Sequence, residues 1–145
     1  MLAVSLDGRL SPPCGGAAQL GGAGDRIVLE QALAWADAVL IGAGTLRAHR
    51  STCLIHEPQF LLQRKQDGRP LQPTALVVSR RPDFCLDWPF FQQALERHLL
   101  TPDPDSVDGF SVIHRLEPSW ESTLVELAEW GFHRLVLLGG AGLCR

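Results

Sequence analysis

Two glycine-rich turns in this 145-residue chain each follow an apolar run and could bind a phosphate group. One is Gly42-Ala43-Gly44-Thr45, and the other is Gly139-Gly140-Ala141-Gly142. Small residues let backbone N–H groups approach phosphate oxygens, and the positive end of a following helix strengthens the attraction. The first turn alone is equally well explained as a tight strand-to-helix connection, because it completes neither a dinucleotide fingerprint nor a Walker sequence. Two such turns in one domain favour a dinucleotide or phosphate ligand more strongly than one turn does.

Arginines stand close to these turns, and Lys65 is the only lysine among thirteen cationic residues. Ser79-Arg80-Arg81 follows another apolar run, where a hydroxyl and two guanidinium groups could bind the 2′-phosphate of NADPH. Arg47 and Arg50 come after the first turn and could join a similar phosphate site. The alternative is that these arginines are solvated and that the bias reflects a GC-rich genome. The acidic residue that usually selects NAD has no counterpart here.

Other chemistries find little support in the sequence. The five histidines and four cysteines lack metal-ligand or C-x-x-C spacing, so we expect no metal site. His114 and His133 lie in or beside apolar runs, which is typical of structural histidines, and the four tryptophans are expected in the core. A formal charge of −3 gives no broad cationic face, so we expect no nucleic-acid partner.

The sequence predicts a cytoplasmic protein with reduced thiols and no membrane partner. Its longest apolar run is far shorter than the roughly 20 residues that span a bilayer. The N-terminal stretch carries Asp7 and lacks the apolar core of a secretory signal.

Strands and helices alternate along the chain. Apolar runs predict strands at residues 2–6, 38–41, 75–78, 97–101, 110–114 and 133–138. Helices are predicted after an N-cap at Asp25, at residues 46–49, and from Trp120 to an end at Gly131. The helix after Asp25 has an apolar face made of Leu29, Ala32, Leu33 and Ala36, while residues 63–70 are predicted to be a charged surface loop. The pattern predicts an α/β domain with a mainly parallel sheet, whose ligands bind at the carboxyl ends of the strands.

Four segments in order resemble the riboflavin-biosynthesis pyrimidine reductases. Ala3-Val4-Ser5-Leu6-Asp7-Gly8-Arg9 resembles the opening strand of that family, and ADAVLIGAGT at residues 36–45 its second signature. Val77-Val78-Ser79-Arg80 is similar to its adenosine-side strand, and Leu138-Gly139-Gly140 to its late glycine pair. The resemblance implies a dihydrofolate-reductase-like fold, with a mainly parallel central sheet flanked by helices. This family forms the C-terminal half of bifunctional deaminase–reductases.

The resemblance implies hydride transfer from NADPH to the ribosyl carbon of 5-amino-6-(5-phosphoribosylamino)uracil, giving the ribitylamino product. It assigns three groups of residues to the cofactor: Gly42, Gly44 and Thr45 near the pyrophosphate, Ser79 and Arg80 near the adenosine phosphate, and Gly139 and Gly140 near the nicotinamide. The phosphorylated pyrimidine would be bound by Ser5, Asp7, Arg47, His49 and Arg50. No side chain is assigned a catalytic role, because the cofactor supplies the hydride. A homodimer is expected, as is common in this family.

Four positions depart from the family pattern. The chain has Met1 in place of a lysine, His49 and Arg50 in place of acidic residues, and Leu138 in place of a glutamate. These differences leave two alternatives open: a reductase of another pterin or pyrimidine, or a truncated, non-catalytic nucleotide-binding paralogue. Since the family fold continues with further strands, we expect residues 1–145 to be a single reductase-like domain that lacks the C-terminal strands.

Overall fold

Five parallel strands form the middle layer of the structure, a computed structural model that describes residues 22–103 and 107–139. In chain order they are β1 (Ala38–Gly42), β2 (Thr74–Val78), β3 (Arg97–Thr101), β4 (Val112–Arg115) and β5 (Leu135–Leu138). Their order across the sheet is β4-β3-β2-β1-β5, and every neighbouring pair is parallel. The predicted parallel sheet is therefore confirmed.

Helices cover both faces of this sheet. They are α1 (Ala23–Trp35), α2 (Ala43–His49), α3 (Pro58–Gln66), α4 (Pro89–Gln92) and α5 (Trp120–Glu129). Helices α1 to α4 contribute to the apolar core on the face that includes Val39, Val77 and Leu99. Helix α5 contributes Leu127 to the core on the other face, against Leu40 and Leu76.

The central strands follow directly from their sequences. Strands β1 and β2 are buried at four of their five positions, and a strand covered on both faces is expected to be apolar throughout. The predictions at residues 38–41, 75–78 and 97–101 are confirmed to within one residue. Strands β4 and β5 begin two residues later than predicted, and the predicted strand at residues 2–6 lies outside the described residues.

Helix boundaries were harder to predict. Asp25 is not the N-cap of α1: the helix begins at Ala23 after Gly22, and the Asp25 carboxylate accepts a hydrogen bond from the Gly22 N–H at 3.0 Å. Helix α2 begins at Ala43, directly after β1, so most of the predicted glycine-rich turn is the first turn of a helix. The predicted end of α5 is confirmed, since Gly131 has a left-handed φ of 90°.

The predicted surface loop at residues 63–70 is confirmed for residues 67–70, which form a mostly exposed turn, and is wrong for residues 63–66. Residues up to Gln66 belong to α3, which begins at Pro58, a residue favoured at the first helical position. Arg64 is only 1% exposed, and its Nη1 donates to the carbonyl oxygens of Leu33, Ala34 and Ala36 at 2.7 to 3.2 Å. The last carbonyls of a helix lack partners within the helix, so this arginine satisfies groups at the end of α1.

Two further expectations about the core are corrected. Three of the four tryptophans are exposed, namely Trp35, Trp120 and Trp130, because each lies on the outer side of a helix or at a helix end. His133 is also exposed, whereas His114 is buried as predicted. Among the described residues, no helix is long and apolar enough to cross a membrane.

Candidate ligand site at the carboxyl edge of the sheet

The three predicted turns meet at one edge of the sheet. Strand β1 lies between β2 and β5, with Gly42 opposite Val78 and Ile41 opposite Leu138. Gly139, which follows Leu138, therefore lies level with Gly42, and Ser79 lies one residue beyond it. Neighbouring strands are about 4.8 Å apart. Gly140, Ser5 and Asp7 lie outside the described residues.

The edge between β1 and β5 is also the place where the chain changes direction across the sheet. The connection from β1 to β2 passes through α2 and α3 on one face. The connection into β5 passes through α5 on the opposite face. Such a reversal leaves a crevice at the carboxyl ends of the two strands, where open α/β sheets bind their ligands. Gly42 ends β1 and Gly139 directly follows β5, so both lie at this reversal point.

Ser79 uses its hydroxyl to close the turn after β2. The side chain is 4% exposed, and its Oγ donates to the Arg81 carbonyl at 2.7 Å and accepts from the Arg81 N–H at 3.1 Å. Arg80 lies in the middle of this turn and is exposed. Within the described ranges its guanidinium group has no hydrogen bond or ion pair. The turn therefore presents an exposed arginine that has no partner in the described part of the chain.

Arg47 connects α2 to the segment after β2. Its Nη2 donates to the Arg81 carbonyl at 2.8 Å and to Oδ1 of Asp83. Its guanidinium carbon also lies 5.2 Å from the centre of the Phe84 ring. The hydrogen bond from Arg47 lowers the pKa of the Asp83 carboxyl. More than thirty residues separate these partners, so no local pattern in the sequence could reveal the contact.

The end of α2 presents His49 and Arg50, the two residues that replace the acidic pair of the family. Both are exposed. Arg50 has a left-handed φ of 56°, its N–H donates to the Leu46 carbonyl at 2.7 Å, and its carbonyl accepts from Phe90 at 3.0 Å. The helix end is therefore fixed by the backbone, and the two side chains are free to face solvent or a ligand.

Gly44 and Thr101 are two further positions at this edge of the sheet. A Cβ added at Gly44 would meet no heavy atom of the described residues within 4 Å, so the backbone is accessible there. Thr101 ends β3 and is 1% exposed, and its Oγ1 has no hydrogen-bond partner in the described part of the chain. Nothing in the sequence singled out Thr101, because a threonine is an ordinary strand residue.

A separate polar cluster lies on the face that α5 covers. The Nε2 atom of His98 lies 2.9 Å from Oε1 of Glu96, and its Nδ1 lies 2.9 Å from Nε2 of His114. The His114 ring stacks on Trp130 with 3.7 Å between ring centres. Burial and the neighbouring His98 lower the pKa of His114 to about 4. Among the described residues, no group of three or more side chains is arranged to hold a metal ion.

A parallel sheet with helices on both faces and a reversal of strand order between β1 and β5 defines the class of the protein as an open α/β fold. The sequence profile of one family, the RibD C-terminal domain, matches residues 1–145 and identifies the particular family. The chain belongs to that family of reductase domains, and its fold is dihydrofolate-reductase-like. Among curated proteins no match was found.

Solved structures of low sequence identity share the fold. The deaminase/5-amino-6-(5-phosphoribosylamino)uracil reductase of Thermotoga maritima matches 94% of this chain, with a TM-score of 0.73 and 16% identity. A pyrimidine reductase-like protein of Corynebacterium diphtheriae matches 94%, with a TM-score of 0.74 and 18% identity. RibD of Acinetobacter baumannii matches 98%, with a TM-score of 0.74 and 19% identity. The chain spans 36%, 62% and 39% of the lengths of these three proteins.

Proposed function

We propose that this chain is an NADPH-dependent reductase that acts on 5-amino-6-(5-phosphoribosylamino)uracil. The observation that carries the proposal is the meeting of Gly42, Ser79 and Gly139 at one edge of the sheet, beside the reversal point. Membership of the RibD C-terminal domain family supports reductase chemistry. The printed name of the Thermotoga maritima relative supplies the substrate.

The order of the three turns fits the parts of a dinucleotide. Across the sheet, β1 lies between β5 and β2. We assign Gly139 and Gly140 to the nicotinamide end, Gly42, Gly44 and Thr45 to the pyrophosphate, and Ser79 with Arg80 to the adenosine phosphate. In NADPH the pyrophosphate likewise lies between the nicotinamide and adenosine halves. The two outer turns are about 10 Å apart, a distance that an extended dinucleotide can span.

Arg80 is the basis for assigning NADPH as the cofactor instead of NADH. Its guanidinium group is exposed and makes no ion pair with any described residue. An arginine fork binds a phosphate through two parallel hydrogen bonds, and only NADPH carries a 2′-phosphate at this position. The cofactor supplies the hydride when bound, and the chain's own residues hold the reacting groups in place.

The substrate must reach the nicotinamide, because the hydride is transferred there. We propose that Ser5, Asp7, His49 and Arg50 bind it, with Arg50 attracting the phosphate of the ribosyl group. A second candidate function is the reduction of a different pyrimidine or a pterin. The exposed His49 and Arg50 favour it, because they place two basic side chains where the family pattern has acidic ones.

Isothermal titration of the full chain with NADPH and NADH tests the cofactor. We expect NADPH to bind more tightly than NADH by about tenfold or more, since a charge-assisted hydrogen bond contributes about 1.5 to 3 kcal/mol. Arg80→Ala should weaken NADPH binding and leave NADH binding unchanged. Arg115→Ala is the matched control, because Arg115 is exposed and ends β4, two strands away from β2. Equal binding of both cofactors, or binding of neither, would contradict the proposal.

Turnover assays then distinguish the two substrates. Oxidation of NADPH that depends on the phosphoribosylamino pyrimidine supports the first candidate. Oxidation of NADPH that depends on another pyrimidine or a pterin, and not on that compound, supports the second candidate.

A further inference from the structure

The carbonyl oxygen of Arg81 receives two hydrogen bonds from two different parts of the chain. Ser79 Oγ donates to it at 2.7 Å from within the turn, and Arg47 Nη2 donates at 2.8 Å from α2. A carbonyl oxygen has two lone pairs, so both of its acceptor positions are used. The peptide group between Arg81 and Pro82, one residue after Arg80, is therefore held by a local contact and by a tertiary one.

The side chain of Arg47 is itself fixed by the segment that it holds. Asp83 accepts a hydrogen bond from the same Nη2, and the Phe84 ring lies beneath the guanidinium group. The side chain of Asp83 is 77% exposed, and ion pairs this exposed contribute little to stability. The contact is therefore better suited to defining the geometry of the turn than to stabilising the whole fold.

We propose that Arg47 is a positioning residue that sets cofactor preference by holding the Ser79–Asp83 turn, so that Arg80 faces the 2′-phosphate. This inference rests on the proposed function. Without Arg47, the Arg81 carbonyl keeps only its bond to Ser79, and the turn that carries Arg80 gains freedom. A side chain that must be ordered again on binding reduces affinity.

This positioning role of Arg47 differs from the ligand-contact role that the sequence resemblance implies for it. If the guanidinium group contacted the pyrophosphate, its removal would weaken the binding of NADPH and NADH equally. If it contacted only the substrate, its removal would change neither affinity. If the guanidinium group acts through Arg80, its removal weakens only the binding of NADPH, which carries the 2′-phosphate. The ratio of NADPH to NADH affinity therefore distinguishes the two roles.

A double-mutant cycle with Arg47→Ala and Arg80→Ala measures this coupling. We expect Arg47→Ala to reduce the preference for NADPH by about threefold to tenfold, an effect of about 1 kcal/mol. In the Arg80→Ala background the same change should have no further effect. Equal weakening of both cofactors, an additive effect in the double variant, or an unchanged preference would each overturn the proposal. Arg115→Ala again serves as the matched control.

A second readout needs no cofactor. The Arg81 N–H is bound to Ser79 Oγ at 3.1 Å, so its hydrogen exchange reports on the turn. We expect faster exchange at Arg81 in Arg47→Ala than in the wild type, with little change in the midpoint of chemical denaturation. Unchanged exchange would overturn the positioning role. A wild-type protein without NADPH preference would instead contradict the proposed function, and the exchange measurement would still report on the turn.

Discussion

The Ala36 carbonyl accepts a hydrogen bond from Arg64 Nη1 at 2.7 Å, so a side chain of α3 closes the end of α1. The same nitrogen also reaches the carbonyls of Leu33 and Ala34. Burial lowers the pKa of Arg64 to about 10, which leaves the guanidinium group charged at neutral pH. Helix α1 leads directly into β1, so this contact fixes the entry to the central strand of the site.

Replacing Arg64 with alanine should destabilise the protein by about 3 kcal/mol. The substitution removes hydrogen bonds from a charged donor and leaves a buried cavity beside α1. Chemical denaturation gives the free energy of unfolding. Lys65→Ala is the control, since Lys65 is the exposed neighbour on the same helix, and it should change stability by less than about 0.5 kcal/mol. An equally small effect for Arg64→Ala would show that the buried arginine is not needed for stability.

Gly109 and Gly68 allow backbone strain to be separated from steric overlap. Both have positive φ values, of 88° and 68°. A Cβ at Gly109 would lie 2.6 Å from Cε1 of Phe91, whereas one at Gly68 would meet no heavy atom of the described residues within 4 Å. Gly68→Ala should cost about 1 kcal/mol from strain alone, and Gly109→Ala about 3 kcal/mol from strain and overpacking together. Equal losses for the two variants, measured by denaturation, would argue against the tight packing around Gly109.

His114 should make stability depend on pH below neutrality. Its pKa is about 4 in the folded protein and 6.5 ordinarily, because burial and His98 disfavour its charged form. Between those values the unfolded chain binds more protons at this site, so stability falls as the pH is lowered. From pH 7.5 to 5 the contribution is about 2 kcal/mol. His114→Gln should lose clearly less stability over that range, while the exposed His133→Gln should behave like the wild type. The hypothesis fails if His114→Gln and the wild type respond equally to pH.

The sequence predicted the parts of the fold that repeat a simple physical rule. Strands β1 and β2 are buried on both faces, so their residues are apolar without interruption, and the turns after them stand out. Because every strand is parallel, the ends of neighbouring strands meet at one edge, and the turns at Gly42 and Ser79 could be placed together. The family resemblance added the identity of the fold.

Long-range polar contacts explain what the sequence could not show. Helix α3 contains Gln63, Arg64 and Lys65 and looks like a solvated loop, because nothing local indicates that Arg64 is buried against α1. The contact of Arg47 with Arg81 could not be predicted for the same reason, since the two residues are distant in the chain. A partner of this kind becomes visible only when the chain is folded.

Amide chemical-shift mapping of the full chain tests most directly whether the carboxyl edge of the sheet binds NADPH. We predict shifts at Gly42, Gly44, Ser79 and Gly139 on addition of NADPH. The amides at the opposite ends of the same strands, at Ala38, Thr74 and Leu135, should remain unchanged. Shifts confined to that opposite edge, or no shifts at all, would contradict the account.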